Sequence, residues 1–107
     1  MGVITKPTTE LEGAQLDWAV NKARGLACGA LGVAPHYSVH WADGGPIVGH
    51  HIHTLIERDG TWTAEAFWPH YPDPRRFCYS LKGPTALVAA MRTYVASRLG
   101  PDIEVPE

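Results

Sequence analysis

Gly83-Pro84-Thr85-Ala86-Leu87-Val88-Ala89-Ala90-Met91-Arg92-Thr93-Tyr94-Val95-Ala96-Ser97-Arg98-Leu99-Gly100-Pro101 is a helix with its start and stop written in. Thr85 can accept from an unpaired N–H of the first turn, as a good N-cap does. Gly100 suits the left-handed residue that closes a helix, and Pro101 then forbids continuation. The spacing predicts a helix over residues 86–99. On it Leu87, Val88, Ala90, Met91, Tyr94, Val95 and Leu99 gather into one broad stripe, with Ala89, Thr93, Ala96 and Ser97 on the other side. Arg98 lies within the stripe, as a last-turn cation whose stem runs along the core, with a ligand-binding role toward carboxylate or phosphate as the alternative. A stripe of this width needs a second layer, and a sheet is the expected one.

Working outward, Val3 and Ile4 suit a short strand ahead of Pro7. A helix follows within residues 10–24 and ends near Gly25. Thr9 and Glu12 match a capping box, while Gly13 permits a later start. Leu16, Ala19, Val20 and Ala23 share one face of this helix, and Trp18 projects nearly opposite. Residues 25–36, rich in Gly and Ala, form a connection. Tyr37, Val39 and Trp41 alternate with Ser38 and His40 and predict a strand. Asp43-Gly44-Gly45-Pro46 then predicts a loop, and residues 47–57 a second strand. Arg58-Asp59-Gly60-Thr61 is the strongest hairpin signal, because Asp-Gly accepts the positive φ values of a two-residue turn. Its partner strand runs over residues 62–68. Pro69, Pro72 and Pro74 break the sheet, Phe77-Cys78-Tyr79 adds a short strand, and the tail from Asp102 is extended. The expectation is an α+β fold: a small antiparallel meander, with its hairpin at Asp59-Gly60, packed by two α-helices. Residues 1–107 are expected to be a single domain.

The chain carries 9 Lys and Arg against 11 Asp and Glu, a formal charge of −2. That balance, with no basic run beyond Arg75-Arg76, argues against direct nucleic-acid binding. No apolar stretch approaches spanning length and no leader pattern opens the chain, so the expected location is the cytoplasm, away from membranes. Cys28 and Cys78 form no C-x-x-C, and two buried free thiols are expected.

Three features invite a chemical reading. His51 and His53 would share one side of a strand, as two metal ligands do, with His50 between the helix-breaking loop and them. Their spacing matches no zinc pattern, so no metal and no cofactor is predicted. Trp41-Ala42-Asp43-Gly44-Gly45-Pro46 suits either a turn or a ligand rim, where glycine lets a partner approach the backbone. Trp68-Pro69-His70-Tyr71-Pro72-Asp73-Pro74-Arg75-Arg76 combines stacking faces with cations, as a nucleotide site or a protein interface would. Asp17 and Asp43 are acids near a tryptophan, read as solvated carboxylates. No nucleophile elbow or phosphate-binding glycine loop is present, and no catalytic residue is assigned.

Leu11-x-Gly13-x-x-Leu16-Asp17-Trp18-Ala19-Val20, Trp41-x-x-Gly44-Gly45-Pro46-Ile47, Trp62-x-Ala64 and the 83–100 block resemble the phage NinX-like proteins, in the family's order. Val105-Pro106 fits their closing segment. His50-His51-x-His53, the 68–76 segment and Ala86 depart from the pattern. The resemblance implies a small accessory protein made by a phage or prophage, acting in the cytoplasm of an infected or lysogenic bacterium. It carries over no activity and no catalytic residue. The leading expectation is a non-enzymatic protein that binds a host or phage partner. Its contact residues are Trp18, Trp41, Asp43, Gly44, Gly45, Trp68, Tyr71, Arg75 and Arg76. The alternatives are a protein that binds a small nucleotide-like signal to counter host defence, and a metal- or cysteine-dependent enzyme. Exposed tryptophan would also permit a homodimer.

Overall fold

The computed structural model describes residues 2–67 and 78–107. The order is β1 (Val3–Pro7), a 3-10 turn (Thr8–Glu10), α1 (Gly13–Ala23), α2 (Trp41–His51), β2 (Thr54–Arg58), β3 (Thr61–Phe67), β4 (Cys78–Gly83), α3 (Ala86–Leu99) and β5 (Asp102–Pro106).

α3 takes the bounds its sequence dictates. Thr85 Oγ1 accepts from the Val88 N–H at 3.1 Å, and Gly100 closes the helix at φ 95°. The wide stripe is buried, as expected, and so is the face opposite it: Ala89, Thr93, Ala96 and Ser97 are all covered. The small side chains explain why. They let the helix backbone approach the sheet so closely that a Cβ on Gly83 would sit 2.6 Å from the Ala89 nitrogen. Thr93 Oγ1 accepts from the Leu81 N–H at 3.2 Å and lies 2.8 Å from the Ala89 carbonyl oxygen, to which it can donate. α3 is thus a central rod with the sheet on one side and α1 and α2 on the other. Leu16, Val20, Met91, Tyr94 and Val95 are core residues at its α1 side.

β2, β3 and β4 form an antiparallel sheet in that order. Its hairpin has Asp59 at φ 55° and Gly60 at φ 82°, the left-handed pair that a two-residue turn requires. β4 begins where the short strand was expected and runs on to Gly83. The extended tail proves to be a strand: β5 pairs antiparallel with β1 in a second, two-stranded sheet. Thr8 fastens the two, its N–H donating to the Pro101 carbonyl and its hydroxyl to that of Gly100, each at 2.8 Å.

α1 lies within its expected bounds but takes the later start. Thr8–Glu10 wind as a 3-10 turn, so Thr9 cannot cap, and Glu12 precedes the helix without a side-chain bond. The larger difference is α2. Residues 41–51 are helical, where a strand end, a loop and a strand start were expected. Tyr37 to Val39 form a turn, and the second strand is confined to Thr54–Arg58. Three alternating residues are too few to hold a strand without a partner. Gly44 reads as a turn glycine but works as a packing glycine. A Cβ there would strike the Tyr37 carbonyl oxygen and lie 2.9 Å from Leu87 Cδ2. Pro46 removes one N–H from α2, whose acceptor would have been the carbonyl of exposed Ala42. The protein keeps the expected α+β character and gains a third helix.

Candidate functional site

The cap of α1, the turn ahead of α2 and one face of α2 enclose a pocket of about 450 Å³, with Arg24, Tyr37, Asp43, Ile47, His50 and His51 in its wall. The last turn of α3 adjoins this wall through Arg98, which lies against His51. Asp43, Ile47, His50 and His51 follow helical spacing on α2, which is why one face presents them all.

Tyr37 is fully buried and anchors the floor. Its hydroxyl donates to Asn21 Oδ1 at 2.6 Å and accepts from Arg24 Nη1 at 2.9 Å. The same turn is fixed from below by Asp17. This carboxylate accepts from the Ser38 N–H at 2.9 Å and is buried, so it is a structural acid and not the solvated one expected. His50 Nδ1 lies 2.8 Å from the Pro46 carbonyl, an acceptor, so that nitrogen carries the proton. The His51 ring lies 4.9 Å from that of Tyr94, tilted 41° to it, and its Nδ1 lies 3.4 Å from Arg98 Nη2. The guanidinium can only donate, which leaves the His51 proton on Nε2. Burial pushes the His51 pKa below 6.5, and the positive charges of Arg98, His50 and Arg24 push it the same way. The charges that lower it are all cationic, in a chain of net charge −2. Arg24 and Arg98 take part in no ion pair among the described residues.

A second, smaller recess of about 250 Å³ lies where α2 and α3 begin. Ser38, Val39, Trp41, Thr85, Ala86 and Leu87 line it. Trp41 is 55 % exposed and Val39 62 %. Ser38 Oγ is buried without a hydrogen-bond partner among the described residues.

The expected site residues are dispersed by this arrangement. Trp41 stands at the smaller recess and Asp43 in the larger pocket. Gly44 is buried at a helix contact, and Gly45 faces the Trp41 ring, its Cβ position 3.7 Å from Cε3. Trp18 is half-buried elsewhere: its indole N–H donates to the Gly29 carbonyl at 3.1 Å, and Lys22 Nζ lies 5.5 Å from its ring centre. Trp18 and Trp41 therefore have separate surroundings. Trp68, Tyr71, Arg75 and Arg76 lie outside the described residues. His51 ends a helix and His53 precedes a strand, so the two share no strand face. Among the described residues no three His, Cys, Asp or Glu side chains gather to hold a metal ion. Cys28 is an exposed free thiol, where a buried one was expected, and the Cys78 side chain lies outside the described ones. Arg24 and Tyr37 complete the pocket wall, and Arg98 stands beside it against His51. The signal that links them is the Asp43–Ile47–His50 spacing, visible only once residues 41–51 are taken as a helix.

The family model described as Bacteriophage P22, NinX matches residues 7–98. The chain belongs to that family. The match takes in all three helices but for the last residue of α3, and every wall residue of both recesses. Membership supports a phage-encoded accessory protein. No curated protein matches the chain. Among the described residues no helix is long and apolar enough to cross a membrane.

Proposed function

We propose that this NinX-family protein is a non-enzymatic accessory protein that engages a host or phage protein in the bacterial cytoplasm during infection. The observation that carries the reading is the Trp41 surface. A tryptophan and a valine more than half exposed, side by side at a recess, are expensive to leave in water and make a natural anchor for a partner's apolar side chain. Trp41 is held by its own helix, with Gly45 beneath it, so little side-chain freedom is lost on docking. The orphan hydroxyl of Ser38, in the same recess wall, offers a hydrogen bond to a partner group.

The test is identification of the partner from infected cells by cross-linking at position 39, followed by titration of the purified pair. Trp41→Ala is expected to weaken binding by about ten-fold or more, with the fold intact by circular dichroism. Equal affinity of Trp41→Ala and the parent protein would refute this surface. Sedimentation of the protein alone separates a second copy of the chain from a foreign partner.

A further inference from the structure

We propose that the pocket formed by the α1 cap, the turn at Tyr37 and α2, with Arg98 of α3 beside its His51 wall, binds a phosphate monoester whose organic part carries hydroxyl groups, a sugar phosphate in chemical class. This site is separate from the Trp41 recess, so the two readings stand or fall independently.

The cations come first. Arg24 spends one N–H on the Tyr37 hydroxyl, and Arg98 directs one toward His51 Nδ1. Neither has a carboxylate partner among the described residues, and each side chain is exposed at the pocket end of its helix. Their remaining N–H groups form a planar fork suited to phosphate oxygens. His51 adds a third donor. With Nδ1 facing the guanidinium, its Nε2 carries the proton even in the neutral ring. His50, whose Nδ1 is committed to Pro46, lines the same wall. Two guanidinium charges and the His51 N–H match a dianion better than a single carboxylate.

The rest of the wall selects the organic part. Pro35, Pro46 and Ile47 supply apolar surface, and 450 Å³ is the scale of a small-metabolite site. Tyr37 is buried, so its ring offers no face for a base to stack on. Asp43, in the same wall, would repel a phosphate but accept from hydroxyls. It therefore orients a polyhydroxylated ligand, with phosphate toward the arginines and hydroxyls toward the carboxylate.

Binding should tighten as pH falls toward about 6.5 and weaken below about 6, where a phosphate monoester takes up its second proton. The groups facing His51 are Arg24 at the end of α1, Asp43 and His50 of α2, and Tyr94 and Arg98 of α3. A bound dianion offsets the cationic repulsion on the ring and favours its protonation.

The probes are ribose 5-phosphate, inorganic phosphate and ribose, followed by histidine-ring NMR on the full chain. Ribose 5-phosphate is expected to shift the His50 and His51 resonances, inorganic phosphate to bind more weakly, and ribose to do nothing. Arg98→Gln and His50→Gln alter exposed residues, so the fold should survive. Each should weaken ribose 5-phosphate binding, Arg98→Gln by about ten-fold. Asp43→Asn should narrow the gap between the ester and inorganic phosphate, and Trp41→Ala should change nothing. No ring shifts at about 10 mM, where even a Kd of ~1 mM would register, would overturn the site. So would variants that bind as the parent does. Equal affinity for inorganic phosphate would overturn the sugar assignment.

Discussion

α3 and α2 lie against each other but are held in different ways. α3 contains its own ends: the Thr85 hydroxyl closes the first turn, and Gly100 turns the chain out of the last. α2 has no side-chain cap at either end, a proline in its middle and three glycines. What it has is a fit. Gly44 lets its backbone rest on the Tyr37 carbonyl and Leu87, and Ile47 is buried in the core below. One helix is specified locally and then packed; the other is a helix because it is packed. Both proposed sites fall on the second, since α2 lines both recesses.

The sharpest way to break that contrast is at Gly44. Gly44→Ala adds a methyl where the Tyr37 carbonyl stands, and should cost about 3 kcal/mol in urea denaturation. Gly49→Ala, in the same helix with open space around it, should instead stabilise by roughly 0.8 kcal/mol. The same sign at both positions would mean that packing does not set α2. Next in size is Thr85→Ala, which removes the cap of α3 and should cost about 1 kcal/mol by the same assay. A loss near zero would erase the distinction between the helices.

The smallest effect is on pH. His51 has a folded pKa below 6.5, so the unfolded chain takes up its proton first as pH falls. Its contribution to stability is therefore intact above the unfolded value and declines as pH drops through it. The parent protein should lose more stability between pH 7.5 and 5.5 than His51→Gln does, because half-exposure limits the shift without reversing it (both windows bracket the ordinary histidine range of about 6.5). Parallel melting curves for the two proteins would contradict the sign.

How much the sequence discloses follows the same division. α3, the Asp59-Gly60 hairpin and the strand ahead of Pro7 were legible because each rests on a residue's own backbone preference. α2 was not, because Gly44, Gly45 and Pro46 have local preferences for a turn, and only contacts with residues 37 and 87 override them. Read as strand, residues 47–53 would put His51 and His53 on one face, as two metal ligands stand. The helix instead sets His51 beside Arg98, 47 positions away. No spacing rule ties Arg24, Tyr37, His51 and Arg98 together, since tertiary packing alone brings them within reach. Trp41 was legible as a site candidate for the opposite reason: an indole beside glycines draws attention whatever the backbone does.

That α2 forms a wall of both recesses has a thermodynamic consequence. Trp41 and His51 ride on one short cylinder, so any tilt of it is felt at both ends. If an occupant of the larger cavity favours one tilt, it changes the affinity at the tryptophan end by some factor, and the tryptophan-end occupant must return the same factor. Reciprocity of this kind would act through the one helix that both walls share.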